Sequence, residues 1–302
     1  MVVDSPKNIP LQELKDALIT PSGVRVFILR LDLIHPTING NKYFKLKYNL
    51  DEMDRLGQNT LLTFGGAYSN HIAATASAGK EKKINTIGII RGEELKSTSN
   101  RMLKTAADNG MDLHFVTREE YRKRYREEYH VYLKSKFGDF YLLPEGGSNR
   151  AAVKGCAEIL KTLDNDFDFV CLPVGTGATM AGIAASASKK QQVIGFAVLA
   201  NANYLDEDVS KMVMEFSGKE LPNTKIIHDF HFGRYARSTG ELDKFIKRFT
   251  SDNNIPIEPV YTGKMLFGIY DMIKGGYFVR GEKILVIHTG GLQANVVGEI
   301  YK

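Results

Sequence analysis

Apolar residues along this chain follow two alternating rhythms. Short, nearly continuous runs such as "TLLTFGG" (60–66), "TIGIIRG" (86–92), "LHFVT" (113–117), "FDFVCLPVG" (167–175), "VIGFAVLA" (193–200) and "KILVIHTGG" (283–291) read as buried strands. Stretches with helical spacing, including "SNHIAATASAGKEK", "NRMLKTAADNG" and "ATMAGIAASASKK", fall between them. Strand and helix in alternation predict an α/β fold of two open, twisted, mainly parallel sheets flanked by helices. The series restarts after "FYLLPEGG" (140–147), which predicts two lobes with a cleft between them. Residues 1–44 and 151–302 are expected to build the larger, ligand-holding domain, and 45–150 a smaller domain that closes over the substrate.

Composition narrows the classes. The chain has 302 residues, 43% hydrophobic and 25% charged, which excludes disordered and fibrous proteins and allows a large core. Its net charge of +5 is spread out, so a nucleic-acid role has no support and an anionic small molecule suits better. The densest charge run, "REEYRKRYREEYHVYLKSK" (118–136), mixes both signs as a solvated surface helix does. Cys156 and Cys171 make neither a disulfide framework nor a zinc site and read as small core residues. No leader-like segment or membrane-length apolar run is visible, so the cytoplasm is the default expectation and no membrane partner is expected.

Three glycine-rich loops follow strands. In "VGTGATMAG" (174–182) the glycines let backbone amides turn inward while Thr176 and Thr179 add hydroxyls, which makes a phosphate cradle. A dinucleotide fingerprint would have glycine where Met180 stands, and no Gly-Lys-Ser/Thr follows for a nucleotide-triphosphate loop. A tight turn needed only for packing is the plain alternative. "FGGAYSNH" (64–71) places Ser69 and Asn70 where they can cap a helix or, with the free amides, hold a carboxylate. "PEGGSN" (144–149) repeats that logic.

"GNKYFKLKY" (40–48) sits where a strand passes into a helix. Lys42 and Lys45, three apart, lie on one side of a first helical turn, so one can act as nucleophile while the other contacts an anion; Lys47 is expected to face solvent. A lysine amine condenses with aldehydes, and pyridoxal 5'-phosphate is the cofactor that joins an aldehyde to a phosphate. Lysine and cradle explain each other.

The blocks "RLDLIHPTINGNKYFKLKYNL", "TFGGAYSNH", "LPVGTGATMAG", "EPVYTGKMLFGIYDMI" and "IHTGGLQA" resemble, in order from about residue 8 to 295, the 1-aminocyclopropane-1-carboxylate deaminase and D-cysteine desulfhydrase family. That family has the tryptophan-synthase-β-like fold (type II) of pyridoxal phosphate enzymes. The resemblance implies that Lys42 is the Schiff-base lysine and Lys45 a phosphate contact. It assigns Asn70 to the cofactor's phenolic oxygen and Ser69 to the substrate carboxylate. Thr176, Gly177, Ala178 and Thr179 would hold the phosphate, with Ala178 standing where the deaminase has serine. Tyr261 would stand near the substrate, and Tyr235 of "HFGRYARSTG" would be a second active-site tyrosine. A homodimer acting on a small amino acid is also implied.

Two departures bear on the activity. By the same resemblance, deaminases carry Glu and Leu where this chain has Thr262 and Thr289, and desulfhydrase-like members carry hydroxyl residues at both. A carboxylate at the cofactor's ring nitrogen favours its protonated form, whereas a hydroxyl only hydrogen-bonds it. The leading expectation is therefore β-elimination from a D-amino acid, D-cysteine giving pyruvate, ammonia and sulfide. The alternatives are cyclopropane deamination, elimination or replacement on L-amino acids, a homologue that binds the cofactor without turnover, and an α/β protein that binds another phosphorylated ligand.

Overall fold

The computed structural model describes residues 8–163, 166–218, 220, 223–233 and 237–292. In chain order the strands are β1 (Leu11–Glu13), β2 (Arg25–Arg30), β3 (Thr60–Gly66), β4 (Asn85–Arg91), β5 (Met111–Val116), β6 (Tyr141–Leu143), β7 (Phe169–Val174), β8 (Gln192–Ala197), β9 (Thr224–Ile227) and β10 (Lys283–His288). They form a six-stranded sheet in the order β1-β2-β10-β7-β8-β9 and a four-stranded sheet in the order β5-β4-β3-β6. Every pairing is parallel except β1 with β2. The strand runs marked by unbroken hydrophobicity became central strands, because a parallel strand covered by helices on both faces has no polar side, except the run at 113–117, which is the edge strand β5. β1 and β9 are short and carry no such run, which is why periodicity does not reveal them.

The helices are α1 (Asn41–Arg55), α2 (Asn70–Lys82), α3 (Arg101–Asp108), α4 (Arg118–Arg122), α5 (Glu127–Phe137), α6 (Arg150–Cys156), α7 (Ala178–Ser186), α8 (Tyr204–Ser217), α9 (Gly240–Asn253) and α10 (Thr262–Lys274). Apolar cores cover the two faces of the six-stranded sheet, and two smaller clusters serve the four-stranded one. Cys156 and Cys171 are free thiols inside the larger cores, as small apolar residues would be. No helix among the described residues is long and apolar enough to cross a membrane.

The charge run at 118–136 is not one solvated helix. It breaks into α4, a 3-10 turn at Lys123–Tyr125 and α5, and it buries Tyr121, Tyr129 and Leu133 against Phe64 and Ile89 of the four-stranded sheet. Apolar positions are sparse along that run, so the charges mask them in composition, but burial of each such side chain contributes about 1.5–3 kcal/mol and decides the packing.

Helix α6 lies between α1 and α7 at backbone contact. A Cβ on Gly155 would fall on the Phe44 carbonyl oxygen of α1. A Cβ on Gly182 of α7 would come within 2.6 Å of the Val153 oxygen of α6. Three helices are thereby set at fixed separations, and two of them carry the residues of the site.

Candidate active site

The carboxyl ends of the strands in both sheets open onto one cleft of about 1390 Å³, where open parallel sheets gather their ligands. Lys42, Lys45, Ser69, Asn70, Thr176, Gly177, Thr179, Tyr261 and Thr289 all line it, so residues spread over most of the chain converge as the sequence predicts. Ala178 and Thr262 are fully buried and do not line it. Tyr235 lies outside the described residues.

Helix α1 begins at Asn41 with Gly40 as its N-cap in a positive-φ conformation (68°), where a side chain would collide with the Thr289 carbonyl. That turn aims both lysines inward. Lys42 Nζ donates to Asn41 Oδ1 at 2.9 Å, and Asn41 Nδ2 donates to Thr179 Oγ1 at 2.9 Å, so one amide ties the lysine to the loop after β7. Lys45, 3% exposed, donates to the Gly146 carbonyl at 2.9 Å and to Thr176 Oγ1 at 3.3 Å. Burial, and then the neighbouring charge of Lys45, lowers the Lys42 amine to about 7. Burial lowers Lys45 to about 8. A substantial share of Lys42 is then the neutral, nucleophilic amine near neutral pH.

Lys47 does not face solvent. Its Nζ pairs with Glu158 at 2.7 Å, and the other carboxylate oxygen accepts from Tyr48 at 2.6 Å. Helical spacing separates Lys47 from Lys42 and Lys45, but it says nothing of the carboxylate supplied from the end of α6.

The three glycine-rich loops have different uses. Ser69 is the N-cap of α2, its Oγ accepting from the Ile72 amide at 3.3 Å, which leaves its hydroxyl proton to donate into the cleft. Asn149 caps α6 in the same way, accepting from the Ala152 amide at 2.9 Å. Within that third loop Ser148 donates to the Thr176 carbonyl at 2.9 Å and Gly146 packs against Thr176, so 144–149 supports the loop after β7. Helix α7 alone of the three has no side-chain cap: its N-cap is Gly177 at φ 82°. Its Ala178 amide donates to the Thr176 carbonyl at 3.1 Å, and the next amides, of Thr179 and Met180, have no side-chain cap among the described residues.

Four contributors went unread in the sequence. Asn41 is one. His71, 2% exposed, is another: its Nε2 lies 2.8 Å from Thr63 Oγ1, whose own proton goes to the Leu143 carbonyl at 2.8 Å. Nε2 is therefore the donor, and burial and then the two lysine charges hold the imidazole well below its usual range. Glu258 is the third, fully buried, accepting from the amides of Val260 (2.6 Å), Tyr261 (2.9 Å) and Thr262 (2.6 Å) at the start of α10. Burial raises it and those amides oppose the rise. The fourth is a rim cluster of Arg91, Tyr121, Arg124 and Glu145. Long-range contacts define all four, and only the Asn-Lys pair at 41–42 offered a local signal.

The residues present fit pyridoxal phosphate. Lys42 and Lys45 make no ion pair among the described residues, and a buried charge calls for an anion. The uncapped α7 amides with Thr176 and Thr179 supply phosphate donors on the same side. Asn70 Oδ1 is buried with no partner among the described residues, and a Cβ on Gly291 would lie 2.7 Å from Asn70 Nδ2, so the loop after β10 closes against this amide. Tyr261 lays its ring along Gly175, where a Cβ would come 3.2 Å from Cε1. Thr262 Oγ1 makes no hydrogen bond of normal geometry and lies beside the Glu258 carboxylate.

Comparison with known proteins agrees. Residues 4–290 match the family described as pyridoxal-phosphate dependent enzyme. A Pyrococcus horikoshii protein, provisionally named a 1-aminocyclopropane-1-carboxylate deaminase, is 31% identical over 283 residues, covering 89% of this chain and 85% of its own length. The mitochondrial bifunctional D-cysteine desulfhydrase/1-aminocyclopropane-1-carboxylate deaminase of Arabidopsis thaliana is 29% identical over 296 residues, 90% of this chain and 73% of its own. The crystal structure of an ACC deaminase homologue superposes with a TM-score of 0.84 at 27% identity, covering 98% of this chain and 92% of that one.

Proposed function

Since the chain belongs to the pyridoxal-phosphate-dependent enzymes, within the 1-aminocyclopropane-1-carboxylate deaminase and D-cysteine desulfhydrase family, we propose that it eliminates the β-substituent of a D-amino acid, D-cysteine giving pyruvate, ammonia and sulfide. The cofactor supplies an aldehyde carbon and an electron-withdrawing ring. Lys42 would hold that carbon, Asn70 the phenolic oxygen, and Lys45 with Thr176, Thr179 and the amides of Gly177, Thr179 and Met180 the phosphate, the Ala178 amide being spent on the Thr176 carbonyl. Ser69 Oγ–H and the α2 amides would orient the substrate carboxylate. Lys42 Nζ, neutral in good part near pH 7, takes the proton from the substrate α-carbon. Tyr261, at the cleft wall, stands beside the loop that holds the phosphate.

The observation that carries elimination is the chemistry of the inner wall. Thr289 and Tyr261, both hydroxyl residues, line the cleft, while the carboxylate of Glu258 is committed to the amides of Val260, Tyr261 and Thr262 leading into α10. A ring nitrogen that met a hydroxyl such as that of Thr289 in place of a carboxylate would give a weaker electron sink, which suffices to lose a thiolate and is less suited to opening an unactivated cyclopropane. The names of the Pyrococcus and Arabidopsis relatives support cyclopropane opening as much as elimination, and Lys42 and Ser69 would serve either.

The test is a substrate panel on yellow holoenzyme: sulfide and pyruvate from D- and L-cysteine, 2-oxobutyrate from 1-aminocyclopropane-1-carboxylate. Faster release from D-cysteine is expected. Faster cyclopropane opening reverses the order of the two activities, and no release from any amino acid leaves a cofactor-binding protein without turnover. Borohydride reduction followed by peptide mapping is expected to find the pyridoxyl group on Lys42; finding it on Lys45 refutes the assignment of the two lysines.

A further inference from the structure

The outer wall of the cleft, built on the four-stranded sheet, carries charge that the proposed elimination of a small neutral amino acid does not use. Arg91 ends β4 beside Gly66, its partner in the β3–β4 register. A Cβ on Gly66 would lie 3.7 Å from one guanidinium nitrogen, in ordinary contact, so the Arg91 head lies over the strand end that leads to Ser69. Tyr121 lies under the guanidinium, its ring centroid 5.8 Å from the Arg91 Cζ. The nearby carboxylate, Glu145, is already occupied: one oxygen accepts from Tyr121 Oη at 2.7 Å and the other from Arg124 Nε at 2.7 Å. Arg118, on the same rim, faces Glu94 at 3.6 Å. Arg91 makes no ion pair among the described residues, and along the cleft lining basic side chains outnumber acidic ones two to one.

We propose that Arg91 is a specificity residue that binds a second anionic group, carried on the β-substituent of the amino-acid substrate, while Ser69 holds the α-carboxylate. Arg91 is exposed at the cleft rim, and three features fit it to a ligand there. Its guanidinium reaches the strand end next to the substrate loop, the Tyr121 ring lies beneath it, and of the acids on that rim Glu145 has both oxygens engaged and Glu94 faces Arg118. A planar guanidinium suits a carboxylate or a similar oxyanion through paired hydrogen bonds. The inference rests on the cleft being the amino-acid site described above, and names the class of substrate for that site.

The experiment compares two compounds of equal shape, S-carboxymethylcysteine and S-carbamoylmethylcysteine, as both enantiomers, on holoenzyme. In each the Cβ–S bond breaks with its electron pair on sulfur, the α-proton passes to Lys42, and water releases pyruvate and ammonium; no oxidant or reductant is needed. The quantity read is the ratio of kcat/KM for the charged over the neutral compound, wild type against Arg91→Gln, which cancels differences between the two leaving groups. A charge-assisted hydrogen bond contributes enough for the ratio to fall roughly tenfold to a hundredfold in Arg91→Gln, carried mainly in KM, with Arg91→Lys in between. Binding of the same compounds, followed by calorimetry and by the cofactor absorbance, is expected to show the same preference and its loss.

An unchanged ratio overturns the proposal, and so does an equal loss for both compounds, which would make Arg91 a contact for the α-carboxylate. The outcomes separate from those for elimination. Turnover of both compounds without an Arg91-dependent preference refutes this inference and leaves elimination standing. Arg91-dependent binding without turnover supports the inference and refutes elimination.

Discussion

The junction of β3 with α2 and the junction of β7 with α7 share one design: an apolar parallel strand, a glycine turn and a helix whose first amides point into the cleft. They differ in who satisfies those amides. At the first junction Ser69 caps the helix itself, accepting from Ile72 at 3.3 Å. At the second, Gly177 occupies the N-cap and no side chain reaches the amides. A capped junction is complete in the protein alone and needs only a weak additional partner, such as a carboxylate that comes and goes. An uncapped one is complete only with a resident anion. Under the proposed function, the difference would suit one loop to substrate and the other to the cofactor phosphate.

Filling the open junction should break the contrast most severely. Valine at Gly177 would adopt a φ of 82° that side chains rarely tolerate and would place its Cβ 2.9 Å from Met212 Cε and 3.0 Å from Val209 Cγ2. Strain of that order and a blocked cradle correspond to a loss of about a hundredfold in pyridoxal phosphate affinity, about 2.7 kcal/mol, read by absorbance titration with circular dichroism as the check on folding.

Acidity sharpens the contrast next, because the lysines sit nearest to the open junction. With Lys42 at about 7, the neutral fraction grows about tenfold between pH 6 and pH 8, and the rate at which cofactor-free protein turns yellow should grow by that factor and then level off. A rate that keeps rising to pH 10 would mean an unperturbed amine. The same shifts fix a sign for stability. Both lysines have folded values below the usual 10.5, so from about 7 upward to 10.5 the unfolded chain holds more protons. Cofactor-free protein should therefore become more stable as pH rises through that window, and Lys42→Met should flatten the dependence of its melting temperature.

The smallest effect is expected at the capped junction. Ser69→Ala removes a cap and should cost about 1 kcal/mol of stability in urea titrations, while cofactor affinity stays within about twofold of wild type. If cofactor affinity instead falls with stability, the division of labour between the loops is wrong. Asn149→Ala, at the capped start of α6, should lose at least as much stability, since its amide also pairs with Asn49.

What was legible in the sequence was local. Lys42, Lys45 and the Thr176–Thr179 turn announced themselves because strand, turn and helix spacing is written within a dozen residues. Asn41 stood in the same stretch and went unread, since its partner Thr179 is 138 positions away. Lys47 was misplaced for the same reason: helical phase gives the side on which a residue points, and Glu158 decides what it meets there. The charged run at 118–136 hid Tyr121 and Arg124, whose part in the rim depends on Glu145, 24 and 21 residues further along. Thr262 is a different case, legible as a departure from a family pattern yet turned toward Glu258 and away from the cleft. Capping, the feature that tells the loops apart, was legible only as a choice between roles, because a serine that can cap and a serine that does cap look alike in a sequence.

The backbone contacts of α6 make the site a gauge. Pyridoxal phosphate has a fixed distance between its aldehyde carbon and its phosphate, and the protein must match that length with the interval between α1, which carries the lysines, and α7, which opens the cradle. Gly155 and Gly182 let α6 serve as the spacer between them, with no compressible side chain at either contact. A single methyl on either face would widen the interval by an appreciable part of a bond length, and rotamer changes could not absorb it. Variation in this lineage should therefore be free in the outer wall, where substrates are chosen, and nearly frozen across these three helices, where a length is kept.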